Sequence, residues 1–81
     1  MNKQAIFELI IQHTKEIIPE LETHAFVITD ELKELGANSV DRAEIITLTI
    51  ESLSLDIPLI TFSGAQNIED LVETFYEQQV V

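Results

Sequence analysis

The chain has 81 residues, with 15 acidic against 4 basic side chains for a formal net charge of −11, and 46% of it is hydrophobic. That length holds one modest packed core and argues against a deep enzyme cleft, while the apolar share argues for a folded domain over 1–81 in spite of the charge. The acidity disfavours nucleic-acid backbones and anionic membranes and favours basic protein partners, and the lack of cysteine excludes disulfides, thiolate catalysis and cysteine metal sites.

In chain order, the periodicity predicts a first helix from about Lys3 to Ile18, with Ile6, Leu9, Ile10 and Ile17 in one stripe and Phe7, Ile11 and Ile18 widening it; Pro19 ends it. Residues Glu20 to Gly36 form an unusually long connection, anchored by Leu21, Phe26, Val27, Ile28, Leu32 and Leu35, in which Thr29 or Asp30 is placed to cap a short helical turn. A second helix is expected from Ser39 to about Ser54, where Asp56, Ile57 and Pro58 break it. Its core-facing arc is Ile45, Ile46, Thr49, Ile50 and Leu53. Leu59, Ile60 and Phe62 are expected in a short piece closing the core. A last helix starts at Asn67 and turns Ile68, Leu71, Val72, Phe75 and Tyr76 inward. The fold class that follows is all-α, a small bundle of four unequal helical pieces with a long first connection and a short third helix. No apolar run approaches the ~20 residues of a membrane span, and the N-terminus has no basic region followed by an apolar core, so the cytoplasm is the expected location.

The richest stretch is Leu35-Gly36-Ala37-Asn38-Ser39-Val40, a glycine-marked turn running into a helix. Asn38 is a strong N-cap type, and Asp41 stands at the spacing that completes a capping box. Ser39 then becomes the first helical residue, its hydroxyl free of the capping role and close to unpaired N–H groups and the positive end of the helix dipole. A phosphodiester on Ser39 would find favourable surroundings there. Without more context, the commonest role of such a serine is simply to open the helix.

This stretch, with the helix Asp41 to Leu53 and the Asp56-Ile57-Pro58 turn, resembles the acyl carrier proteins, in which a serine in a Leu-Gly-x-Asp-Ser-Leu setting bears a phosphopantetheine arm. Asn38 in place of the common Asp and Val40 in place of the common Leu depart from that pattern without removing the attachment group. The resemblance implies a non-catalytic carrier whose Ser39 receives phosphopantetheine from coenzyme A through a phosphopantetheinyl transferase, and whose acyl group comes from an acyl-loading enzyme. It also implies that the long connection is the ordered loop crossing the bundle. The string Gly36 to Ile45, Asn38 and Arg42 included, is similar to the carriers that donate acetyl in polyketide β-branching, which implies delivery to an HMG-synthase-like enzyme. A carrier for fatty acids or another activated acid, and an unmodified acidic interaction domain, are the competing readings. The protein is expected to act as a monomer.

Val40, Glu44, Thr47 and Glu51 share a second arc of the Ser39 helix and, with Asp41, make an apolar centre bordered by charge, which suits docking of a basic partner as well as plain solvation. Arg42 is a lone cation in that helix. It is open to pairing with a neighbouring carboxylate, to an edge role in which the stem packs and the guanidinium reaches outward, or to marking the carrier for one partner together with Asn38. His13 borders the apolar stripe and is expected to be buried or half-buried with a satisfied hydrogen bond. His24 lies in the long connection, and the two make neither a triad nor a zinc site. No calcium-loop series occurs, so no metal is expected.

Overall fold

Three α-helices, α1 (Lys3–Ile17), α2 (Ser39–Ser52) and α3 (Ile68–Val80), build the computed structural model, with 3₁₀ turns at Pro19–Leu21 and Leu59–Phe62 between them. The structure describes residues 1–80, and no strand occurs among them. The all-α expectation holds among the described residues, while the four-helix count is not confirmed. The short third piece is the four-residue turn Leu59–Phe62, whose bonds run three residues apart, Thr61 N–H to the Pro58 oxygen and Ser63 N–H to the Ile60 oxygen, each 3.0 Å.

α1 is capped by Asn2, whose side chain accepts the Ala5 N–H at 2.8 Å, and it packs against both α2 and α3. Ile6, Ile10, His13 and Thr14 are its buried residues, with Phe7, Ile17 and Ile18 packed against the core. Leu9, expected in the stripe, lies half-buried outside that core, because the buried face runs through His13 and Thr14 instead. Polar groups are tolerated there because they are bonded: the Thr14 hydroxyl donates to the Ile10 oxygen at 2.7 Å. His13 bridges Glu16 through Nδ1 (2.6 Å) and the Ser52 hydroxyl of α2 through Nε2 (2.8 Å), as a satisfied, nearly buried histidine should.

The long connection is ordered by its own polar contacts and by α3. Asp30 does not cap the following turn. Its carboxylate reaches back to accept the Val27 N–H (2.9 Å) and to meet His24 Nε2 (3.0 Å), with the His24 ring edge-on to Phe26. The carbonyl oxygens of Asp30 and Ile28 accept the Ile68 and Glu69 N–H groups at 2.9 and 2.8 Å, so the loop itself satisfies donors that the start of α3 would otherwise leave open. Leu32 is buried and Leu21, Phe26, Ile28 and Leu35 are half-buried, but Val27, expected as an anchor, is 53% exposed: its N–H is turned in towards Asp30 and its side chain outward.

α2 ends at Ser52, two residues earlier than expected. Ser54 adopts a left-handed conformation (φ 54°), and the Leu55 N–H closes back on the Ile50 oxygen at 3.1 Å, so the helix stops before the Asp56-Ile57-Pro58 turn. Ile45 and Thr49 are buried on its inner face, with Ile46, Ile50 and Leu53 packed alongside. In the 3₁₀ turn only Phe62 closes the core, against Phe75 at 4.4 Å between ring centroids; Leu59 and Ile60 point outward. α3 starts with a second capping arrangement, Asp70 N–H to Asn67 Oδ1 (2.9 Å) and Asn67 N–H to Asp70 Oδ2 (3.2 Å), as its sequence spacing predicts.

Candidate functional site

The start of α2 is built from the turn that precedes it. Residues Glu31 to Gly36 form successive tight turns, and Gly36 takes a φ of +104°, a left-handed value that L side chains rarely adopt. That conformation lets the Ala37 N–H return to the Leu32 oxygen at 3.0 Å and drops Ala37 into the core, 2% exposed. The chain then leaves the core at Asn38, whose extended backbone suits an N-cap.

Asn38 and Asp41 complete the capping box that their spacing predicts, with both reciprocal bonds formed. Ser39 is the first helical residue and is exposed. Because Asn38 supplies the cap, the Ser39 hydroxyl is not spent on the backbone and faces solvent beside the helix start.

Arg42 departs from the expectation of an outward-reaching guanidinium. Its side chain folds back to the turn, and Nη1 donates to the Ala37 carbonyl oxygen at 2.7 Å. The cause is local: the side chain of a helical residue leans towards the N-terminus, where the Ala37 carbonyl lies ahead of the helix and free of its ladder. Arg42 forms no ion pair with a carboxylate among the described residues.

An open groove of about 500 Å³ between α2 and α3 is lined by Ser39, Arg42, Ala43, Ile46, Phe62 and Leu71, with the exposed Leu59 and Ile60 on its rim. Sequence reasoning missed this rim, having put Leu59 and Ile60 into the core. Ile60 is 76% exposed, and Val40, on the second residue of α2, is 70% exposed. Farther along α2, Glu44, Thr47 and Glu51 are exposed, while Asp41 and Arg42 are half-buried with their polar ends engaged at the turn. The Ser39 end and the outer arc of α2 thus form one surface. His13 and His24 lie in their own contacts away from it, and no group of three or more metal-ligating side chains occurs among the described residues.

The described residues thus place one exposed serine at a capped helix start, with a largely apolar groove beside it, in a small acidic helical protein. No protein-family model matches the chain. It is 54% identical over 78 residues to the polyketide biosynthesis acyl-carrier-protein AcpK of Bacillus subtilis (strain 168), covering 96% of this chain and 95% of that protein. The chain belongs to the acyl carrier protein family and is a carrier, not an enzyme.

Its fold matches, with a TM-score of 0.89 and 48% identity, a chain in the crystal structure of the curacin biosynthetic pathway HMG synthase in complex with acetyl donor acyl carrier protein, covering 93% of this chain and 96% of that one. The family implies a phosphopantetheine group. The residues present fit one: an exposed serine hydroxyl relieved of capping, with a guanidinium bordering the same groove, suits an anionic phosphodiester.

Proposed function

We propose that Ser39 carries phosphopantetheine and that this protein is the acetyl donor for an HMG-synthase-like β-branching enzyme in polyketide biosynthesis. The observation that carries this reading is the match of fold and sequence to a chain in the acetyl donor complex, which spans 93% of this chain.

Attachment requires the Ser39 oxygen to bond to the phosphorus that bears pantetheine in coenzyme A. The pyrophosphate linkage breaks, adenosine 3′,5′-bisphosphate leaves, and the serine proton passes to a base on the transferase. This chain's part is to hold Ser39 in a fixed, accessible position, which the Asn38–Asp41 box and the Gly36 turn do. When bound, the group supplies a terminal thiol that holds acetyl as a thioester. The cytoplasm, where coenzyme A is available to the transferase, is the setting that this reading requires.

Docking in this reading uses Val40, Glu44, Thr47 and Glu51 along the outer arc of α2, with Asn38, Asp41 and Arg42 at its leading edge and Leu59 and Ile60 across the groove. Apolar Val40 and Ile60 supply contact, and the carboxylates steer a basic partner. The transferase, the loading enzyme and the synthase all have to reach Ser39, so all approach this end. The test is to load the protein with acetyl-phosphopantetheine and follow acetyl by mass into the active site of an HMG synthase of β-branching. Transfer is expected, and its absence would reject the donor role.

A further inference from the structure

Arg42 is the only cation in α2, and its position sets it apart from a surface ion pair. Carboxylates are abundant around it, 15 in the chain and two of them within two positions at Asp41 and Glu44, yet it pairs with none among the described residues. It makes one bond inward, from Nη1 to the Ala37 oxygen, out of the five N–H donors that a guanidinium offers. Ser39 and Arg42 stand three apart on one helix, the spacing that makes side chains neighbours at about 5–6 Å between Cβ atoms, and both line the same groove. A chain of net charge −11 that gains a phosphodiester at Ser39 gains repulsion from the acids nearby, and the guanidinium is the group placed to offset it.

We propose that Arg42 is the positioning residue for the phosphate on Ser39: one N–H holds the lead-in turn through Ala37, and others take the phosphodiester oxygens, fixing the root of the arm beside the groove. A planar guanidinium can serve both acceptors at once, which a lysine point charge does less well. The proposal rests on Ser39 being the attachment site.

The experiment starts by establishing, from intact and peptide mass, that transferase and coenzyme A add phosphopantetheine to Ser39. Absence of that mass would overturn the attachment reading, and this proposal with it, before any variant is compared. Melting temperatures of apo and loaded protein are then measured at low salt for the wild type and for Arg42→Gln. Loss of the Ala37 bond lowers apo and loaded forms alike, so a change in the difference between them reports the Arg42 guanidinium acting on the arm. Loading is expected to lower the melting temperature more in Arg42→Gln than in the wild type, by up to about 8 °C for a chain this short. An equal change in both proteins would overturn the proposal. Should Arg42→Gln fail to fold, the Nε–Hε resonance of Arg42 in wild-type protein decides: a shift on loading supports the contact, and an unmoved resonance overturns it.

Discussion

Asn38 and Asp41 hold each other across the first turn of α2: the Asp41 N–H donates to Asn38 Oδ1 at 2.8 Å, and the Asn38 N–H donates to Asp41 Oδ2 at 3.2 Å. The pair satisfies two donors that the helix start leaves open and thereby releases the serine between them from the same duty. Asn38→Ala is expected to cost about 0.5–2 kcal/mol of stability, seen as a lower denaturation midpoint with an unchanged slope. An unchanged midpoint would mean that the cap contributes nothing.

The Ser39 hydroxyl carries no capping load, so Ser39→Ala should leave helical circular dichroism and the melting transition nearly as they are. The same variant should lose all addition of phosphopantetheine by transferase and coenzyme A. Mass added to the alanine protein would place the attachment elsewhere.

Glu44 and Glu51 stand exposed on the outer arc of α2, where charge acts mainly by steering encounter. Replacing both by lysine should slow association with a basic partner by about tenfold or more at low salt and flatten its dependence on ionic strength, with little effect on the melting temperature. Stopped-flow association at two salt concentrations reads this directly. Rates that stay the same would remove these carboxylates from the docking face.

Asp30 ties the long connection together, and the Val27 N–H first, then the His24 hydrogen bond and charge, hold its carboxyl below the ordinary value against the opposing effect of burial. A pKa lower in the folded than in the unfolded chain means that ionisation favours folding. The contribution is complete above the unfolded carboxylate range, near pH 4, and is lost as pH falls through the lowered folded value. The stability gap between wild type and Asp30→Asn, measured by denaturant at pH 6 and again near pH 3, should therefore narrow at the lower pH. A constant gap would show that the ionised carboxylate is not what holds the loop.

The sequence made α1, the start of α2 and the start of α3 legible because their causes are local: a 3.6-residue apolar period, and Asn–Asp pairs at capping distance. What escaped it depends on partners distant in the chain or on a backbone detail. Nothing near Ile28 or Asp30 announces that their carbonyls will meet Ile68 and Glu69, and nothing in Val27 itself says that its N–H rather than its side chain will turn inward. Leu59 and Ile60 read as core material because hydrophobicity alone does not reveal that a turn of four residues can bury only one large side chain, Phe62. The inward fold of Arg42 needed the position of the Ala37 carbonyl, which the glycine turn sets.

In the proposed donor role, acetyl is too small for a carrier to select by shape, so donor identity would lie in which enzymes accept the surface around Ser39. Asn38 is the residue there that removes a negative charge from the usual pattern while keeping the cap. Discrimination is a difference between two affinities, and a missing carboxylate can weaken the wrong partner as readily as it admits the right one. Asn38→Asp separates these effects from stability, because aspartate caps as well as asparagine and the fold should be unaffected. Offered to an HMG synthase of β-branching in competition with an acetyl-loaded fatty-acid carrier, the wild-type protein should transfer acetyl preferentially, and Asn38→Asp should lose part of that preference, about tenfold if the added charge costs the ~1.4 kcal/mol of one repelled contact. Acetylation of the synthase active site, followed by mass with isotopically distinct acetyl on the two carriers, gives the ratio. Equal transfer from wild-type protein and fatty-acid carrier would leave a generic carrier, and an unchanged preference in Asn38→Asp would move the address from the helix start to the rim formed by Val40, Leu59 and Ile60.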